Sequence, residues 1–459
     1  MTELHFGLDT PMPETMLVKR AAALYLAGWI FHRTRPIRKV EIVVDGHPQP
    51  VIASHMPRYD VYRQWRDATS NSTYPYRSGF WALVELRASS EGRARLSLRA
   101  WIDDKPWDVA ISAMELRGVE DTLYAQHVSG AMQRRIAICM ATFNPDAGGI
   151  RRQVESLRNQ THRDWICLIN DDCSSDGALA AVREAVGTDR RFTIARNETR
   201  RGFYANFEAC LARVPPDAAF VALSDQDDRW YAEKLETLLG RLVGGSALLA
   251  HSDMRIVDAR GRVLQPSFWR RRHSSETDLG SLLCANTVTG ASMLFSRDLL
   301  DALPFPLLTR AFHDHWLACV ALALGRVSFV DRPLYDYVQH QGNVLGHEVR
   351  PGSDSLVART PQEWYFVNLV TAVAFSREIL ARFAGRVAAP DQHVLSHVSQ
   401  LDSRPGRAWL RREARMHLSD KRFAHLLAAA SWRAATSRIS LPPNRLVSVS
   451  KSAIPSRAI

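Results

Sequence analysis

Apolar and polar positions change rhythm twice along the chain. Up to about residue 130 they alternate, as in KVEIVVDG (39–46), SGFWALVEL (78–86) and RARLSLRAWIDD (93–104). Period-two patterning broken by Gly, Pro and Ser predicts short strands, and so a small all-β sandwich over 1–130. From Arg134 the pattern turns to blocks. IAICMAT (136–142) and WICLIND (165–171) are continuous apolar runs, and IRRQVESLRNQ (150–160) between them carries helical spacing. FTIARN (192–197), AFVALS (219–224), ALLAHSDMRIV (247–257) and SMLFS (292–296) extend the series, with the helical YAEKLETLLGRL (231–242) among them. Alternating strands and helices predict an α/β domain over 134–350 with a mainly parallel sheet. Beyond 350 the strands stop. Segments 361–385 and 406–438 read as helices, so 351–459 is expected to be a helical region ending in a loose tail.

Polar clusters sit where three of the strands end: TFN at 142–144, NDDCSSD at 170–176 and SDQDD at 224–228. Sheets of this kind bind ligands at the carboxyl ends of their strands. Two readings of SDQDD stand at this point. Acids favour a helix N-terminus, and a helix is predicted to follow. Alternatively Asp225 and Asp227 turn into one site and hold a hard divalent cation, which would offset the repulsion among three neighbouring carboxylates. NDDCSSD is open in the same way, as an Asx turn or as an acceptor for ligand hydrogen bonds.

Composition narrows the setting. The 459 residues are 46% hydrophobic and 23% charged, as in an ordinary globular protein. Six cysteines are scattered without a CxxC pair, which disfavours a disulfide framework or a structural zinc. No signal pattern opens the chain, and the longest uncharged apolar stretch, 364–376, is shorter than the roughly 18–20 residues of a membrane span. A cytoplasmic protein is therefore expected. Residues 401–459 carry 12 Lys/Arg against 3 Asp/Glu and account for most of the net charge of +11. Within that tail Trp409, Met416, Phe423 and Ala430 recur at sevenfold spacing, an amphipathic basic helix that suits either an anionic membrane face or packing on the protein. No nucleic-acid-binding module accompanies the charge.

Taken together, ATFN (141–144), INDDCSSDG (169–177), SDQDDRWYAEKLE (224–236) and FHDHWLA (312–318) resemble the family 2 glycosyltransferases of the GT-A fold. NTVTGASMLFSR (286–297) and QHQGNVLG (339–346) support the likeness, and bacterial rhamnosyltransferase-type members are the most similar. The resemblance implies a Rossmann-like GT-A domain that uses a nucleoside diphosphate sugar (dTDP, UDP or GDP) and a glycan or lipid-linked acceptor. Thr142 and Asn144 would approach the nucleotide, Asp171 or Asp172 the base or ribose, and Gly202 and Asn206 would lie beside them. Asp225 and Asp227 would hold Mg²⁺ or Mn²⁺ on the diphosphate, with His340 assisting. Asp314 would be the general base, which an inverting transfer requires opposite the ion. Capping of the following helix is the plain alternative for Asp314.

The chain departs from the family at Val338, where an arginine is expected, and at QGN in place of GNN. Trp230, Trp316 and Lys234 match family positions but equally suit packing and surface roles. Asp228 is read as serving the helix after it. The QxxRW spelling of 226–230 overlaps the acidic motif and is taken as accidental. Aromatics of the first 130 residues (Trp29, Phe31, Trp65, Tyr74, Tyr76, Trp81, Trp101, Trp107) suit a core or sugar stacking. A sugar nucleotidyltransferase and a non-catalytic glycan-binding protein are the rival functions. The first lacks a strong Gly-rich phosphate loop, and the second has no need of acids at 225, 227 and 314 together.

Overall fold

The computed structural model describes residues 3–118, 134–339 and 362–416, apart from 10–11, 19–20, 52, 57, 70–71, 88–91, 244–246, 270–276, 304, 306–311 and 402–403. They fall into two units, one within Met1–Val119 and the other within Glu120–Leu427.

The first unit pairs two sheets. One runs β1 (Leu4–Leu8), β3 (Ala21–His32), β7 (Gly79–Arg87), β6 (Ala53–Met56). The other runs β2 (Thr15–Val18), β9 (Lys105–Gly118), β8 (Arg93–Ile102), β4 (Lys39–Val44), β5 (His47–Pro50). Helix α1 (Tyr59–Trp65) follows β6. The alternation in β8 is visible in its burial, with Ala94, Leu96, Leu98, Ala100 and Ile102 all inward. They meet Leu26, Phe80 and Val84 of the other sheet in one core. Of the aromatics, Phe31 is buried in this unit whereas Trp107 is exposed.

The second unit is organised on a nine-stranded sheet. Its parallel core is β12 (Phe192–Arg196), β11 (Trp165–Asp171), β10 (Ile136–Thr142), β13 (Phe220–Ser224), with α2 (Ala147–Arg158), α3 (Asp176–Val186) and α4 (Phe203–Leu211) as connections. β10 is buried on both faces, which explains its unbroken apolar run. The sheet continues through β17 (Met293–Ser296), antiparallel to both its neighbours, to β15 (Ala247–Asp258), β18 (Arg326–Gln339) and the two-residue β14 (Arg229–Trp230). A short β16 (Val263–Gln265) pairs with β15.

Two features differ from the expectation. β18 was not predicted, because RVSFVDRPLYDYVQ mixes charges and a proline into its apolar positions. The structure absorbs Pro333 with register shifts along β15, so the strand is irregular where its sequence is. Helix α5 (Lys234–Val243) starts later than the apolar pattern suggested, since β14 intervenes between the acids and the helix.

Helix α7 (His313–Leu324) packs on β15 and β18 of this sheet and α6 (Leu279–Cys284) packs on α7, while α8 (Gln362–Phe383), α9 (Ala389–Val398) and α10 (Arg404–Met416) lie in the same unit. Phe375 of α8 lies 5.0 Å from the ring of Trp316. A fully buried Glu378–Arg382 pair (2.7 Å) joins successive turns of α8, and Arg382 also donates to the Ala302 carbonyl. In α10, Trp409 is buried and stacks on His397 at 5.3 Å, so the described part of the basic helix turns its apolar face inward. Phe423 and Ala430 lie outside the described residues. Among those described, no helix is long and apolar enough to cross a membrane.

Candidate active site

After β10 the chain proceeds to β11 and β12 on one side, then crosses to β13 on the other, which makes the carboxyl end of β10 the switch point of the sheet. Register brings Thr142 beside Asp171, and Met140 beside Ser224. All three polar clusters therefore open at one edge.

The first two clusters knit to each other. Thr142 Oγ1 donates to Asp171 Oδ1 (3.2 Å), while Ser174 donates to both oxygens of that carboxylate through its N–H (3.0 Å) and hydroxyl (2.5 Å). Asn144 holds a left-handed conformation (φ +44°), which asparagine tolerates. Its N–H reaches Ser174 Oγ, and its Oδ1 accepts from Ser175 N–H (2.9 Å). Asp172 accepts from the N–H groups of Arg201 (2.7 Å) and Gly202 (2.8 Å) and from the Asn197 amide. Gly202 precedes α4 at φ +83°, a conformation that a side chain would strain. Asn206 is buried against Asn170 and Asn197 in a three-amide network. Both carboxylates of NDD thus shape the rim, using side-chain oxygens on the neighbouring loops.

The third cluster is electrostatically strained. Asp225 and Asp227 are half-buried and Asp228 fully buried. Burial, then the nearby charges of Asp227 and Asp314, push the Asp225 carboxyl up to about 7, with Lys234 pulling against them. Burial, then the charges of Asp225 and Asp227, also hold Asp228 far above the usual carboxylate range. Among the described residues no hydrogen bond reaches the Asp225 carboxylate, and Asp228 Oδ2 is buried without a partner. Asp228 does not serve the following helix as expected. Its Oδ1 accepts from the Val338 N–H of β18 (3.3 Å), because β14 carries it to that strand and away from α5.

Lys234 is likewise no surface residue. It is fully buried, with Nζ 3.5 Å from the Trp230 ring centroid and 4.6 Å from that of Tyr335, and it donates to the Ala291 carbonyl. Burial drives its pKa well down, partly offset by Asp228 and Asp225. Lys234 therefore lies close enough to Asp228 and Asp225 for their charges to act on it. Gln226 clamps the β10 loop, accepting from Phe143 N–H (2.8 Å) and donating to its carbonyl (3.2 Å). The glutamine of QxxRW thus has a local structural task.

Asp314 enters from the first turn of α7, and Phe312, not Asp314, occupies the N-cap. Its Oδ1 accepts from the Asn286 amide (2.9 Å) and from its neighbour's N–H at His315 (2.6 Å), and its Oδ2 from Gly290 N–H (3.0 Å). Burial raises its pKa to about 6 against the lowering effect of those bonds. His313 beside it is buried without a hydrogen bond on either ring nitrogen, stacked on Phe207 at 4.1 Å. A Cβ on Gly290 would stand 2.9 Å from His313 Nε2 and 3.6 Å from Asp314 Cβ. Gly290→Ala is thus expected to force the His313 ring aside and, through the first turn of α7 that both residues share, to misplace Asp314, whose own contact is of ordinary length; misplacement of a reacting group by about 1 Å lowers kcat/KM about 10²-fold. Steady-state kinetics at unchanged thermal midpoint would check it; wild-type kcat/KM would show the contact to be slack.

Of the residues predicted from sequence, Asp225, Asp227 and Asp314 meet in one electrostatic neighbourhood, next to the loops of Thr142, Asn144, Asp172 and Gly202. His340 lies outside the described residues. Asn286, Gly290 and His313 were missed as individuals, although the first two lie in the NTVTGASMLFSR motif. Nothing local marks them, because they acquire a task only when α7 is docked. Among the described residues no group of three or more His, Cys, Asp or Glu is arranged as a ready-made metal site. The acids nonetheless suit one. Carboxylate oxygens are the donors that Mg²⁺ and Mn²⁺ take, two suffice when a diphosphate supplies others, and an incoming cation would relieve the charge on Asp225.

The family model for Glycosyl transferase family 2 matches residues 137–303, which includes the acidic motif and stops short of Asp314. The Escherichia coli protein described as UDP-Glc:alpha-D-GlcNAc-diphosphoundecaprenol beta-1,3-glucosyltransferase WfgD is 24% identical over 186 residues, 40% of this chain and 68% of its own length. The putative teichuronic acid biosynthesis glycosyltransferase TuaG of Bacillus subtilis is 25% identical over 171 residues, 37% of this chain and 66% of its own. Among solved structures, S. aureus TarS 1-349 in complex with UDP-GlcNAc aligns over 66% of this chain and 92% of that one, at 17% identity and a TM-score of 0.41. The mannosyltransferase PcManGT from Pyrobaculum calidifontis in complex with GDP-Man and Mn²⁺ aligns over 65% and 87%, at 18% identity and the same TM-score of 0.41. The part of the chain that is similar to this family, residues 137–303, runs from β10 through β17 and holds Asp225 and Asp227.

Proposed function

We propose that the protein transfers a sugar, with inversion, from a nucleoside diphosphate donor to a hydroxyl of a surface polysaccharide or lipid-linked glycan. One observation carries the reading: Asp225 and Asp314, 89 positions apart in sequence, are close enough for the charge of one to raise the pKa of the other. An inverting transfer asks for such an arrangement, with an ion-binding acid on the donor side and a proton acceptor facing the attacking hydroxyl. Asp225 and Asp227 would hold Mg²⁺ or Mn²⁺, which when bound neutralises the leaving diphosphate. Asp314, fixed by Asn286 and Gly290, takes the acceptor's proton. Lys234 supports the acids from below, and the loops at 142–144 and 201–202 receive the nucleotide. The named glucosyltransferase and teichuronic acid relatives support a cell-envelope glycan as the product. The rhamnose donor expected from the motifs is tested alongside glucose and mannose donors.

Hydrolysis of dTDP-, UDP- and GDP-sugars by the purified chain, with Mn²⁺ and with EDTA, tests this reading. One nucleotide class should be cleaved, and EDTA or Asp225→Asn should each lower the rate at least ~100-fold. Hydrolysis indifferent to EDTA would remove the ion from the scheme.

A further inference from the structure

The segment from Asp227 to Leu235, which links the acidic motif to α5, is laid along α2. In the amide orientation that gives its nitrogen an acceptor and its oxygen a donor, Gln153 donates to the Asp228 carbonyl (2.8 Å) and accepts from Trp230 Nε1 (3.3 Å). Ser156 Oγ accepts from the Trp230 N–H (3.1 Å). Gln160, just past the helix, donates to the Tyr231 carbonyl (2.8 Å) and accepts from the Leu235 N–H (3.1 Å). These three side chains are buried and uncharged, and they hold the chain that follows the ion-binding acids.

Arg152 of the same helix differs from them in its charge and in what it touches. It is half-buried, and its guanidinium donates to the main-chain carbonyl of Asp227 (2.6 Å). Its Nε is buried without a hydrogen-bond partner. A buried N–H left unsatisfied is costly and rare, so another gain must offset it. That gain is the bond to Asp227, since a charged donor bonds more strongly than a neutral one. The first turn of α2 lies against the same residue. A Cβ on Gly149 would stand 3.5 Å from Asp227 Cβ and 3.7 Å from a guanidinium nitrogen of Arg152.

We propose that Arg152 is a positioning residue of the ion site: by holding Asp227 through its main chain, it sets the acidic loop in place before the cation arrives. The inference rests on the ion-binding roles of Asp225 and Asp227 given above and adds the residue that prepares them. Charge and positioning predict opposite signs. As a charge alone, Arg152 repels a divalent cation, and its removal would tighten binding. As a positioning group, its removal loosens the loop, and the ion must then order that loop as it binds, which weakens binding. The charge effect is the smaller, because water screens a half-buried guanidinium.

Binding of Mn²⁺ alone to the full chain, followed by the electron paramagnetic resonance signal of the free ion, tests this without turnover. Arg152→Met and Arg152→Gln should each raise the Mn²⁺ Kd about tenfold, measured well below their thermal midpoints. Arg152→Lys keeps a charged donor for the one carbonyl and should stay within about threefold of wild type. A merely structural role would lower the midpoint and leave the Kd unchanged. Asp225→Asn separates this inference from the reading beneath it. If wild type binds no Mn²⁺, or Asp225→Asn binds it equally well, the ion site fails and the positioning role with it. If Asp225→Asn loses Mn²⁺ while the methionine and glutamine variants bind it as wild type does, or more tightly, the positioning role alone is overturned. A lysine variant as weak as the methionine one overturns it too.

Discussion

Asp314→Asn is expected to lower transfer by about 10²–10⁴-fold while leaving donor affinity unchanged. The amide keeps the size of the carboxylate but cannot take a proton from the acceptor hydroxyl. The wild-type pH profile should carry the same signature. Burial raises the Asp314 pKa to about 6, so the basic form prevails above that pH and is lost below it. Turnover at saturating substrates should therefore fall as pH drops through about 6, and the asparagine variant should lack that limb. Measuring kcat from pH 5 to 8 in both proteins, together with donor binding by calorimetry, separates proton transfer from structural damage. Retained turnover in Asp314→Asn would refute the role.

The largest effect on stability is expected at Lys234. Its Nζ is fully buried with Trp230 and Tyr335 around it and donates to the Ala291 carbonyl, while burial holds its pKa well down and Asp228 and Asp225 offset that only in part. Lys234→Met removes that donor and leaves the buried Ala291 carbonyl without it. Removing one partner of a buried hydrogen bond costs about 1–3 kcal/mol. Urea unfolding should show the loss as a lower midpoint. An unchanged midpoint for Lys234→Met would show that this hydrogen bond contributes nothing to stability.

Both effects concern residues whose sequence context said different things. FHDHWLA marked Asp314 by its motif, and the N-cap position that offered a capping role belongs instead to Phe312, which makes no side-chain cap. Lys234 carried no signal of burial, since a lysine at the head of an amphipathic helix ordinarily faces water. Its position follows from Ala291, 57 residues on, whose carbonyl accepts from it. Asp228 was misread for the same kind of reason. Its partner, Val338, belongs to the strand whose charges and proline hid it from periodicity.

What the sequence determined by itself was the local order: alternating strands, then apolar blocks and helices, with acids at the strand ends. Those follow from short-range rules of burial and backbone preference, which neighbouring residues suffice to state. Tertiary structure alone decided which acids share an electrostatic field. Asp228, three residues from Asp225, is tied to β18, whereas Asp314, 89 residues from Asp225, is coupled to it. Charge interaction in a poorly solvated pocket depends on distance in space and on exclusion of water, and strand pairing sets both.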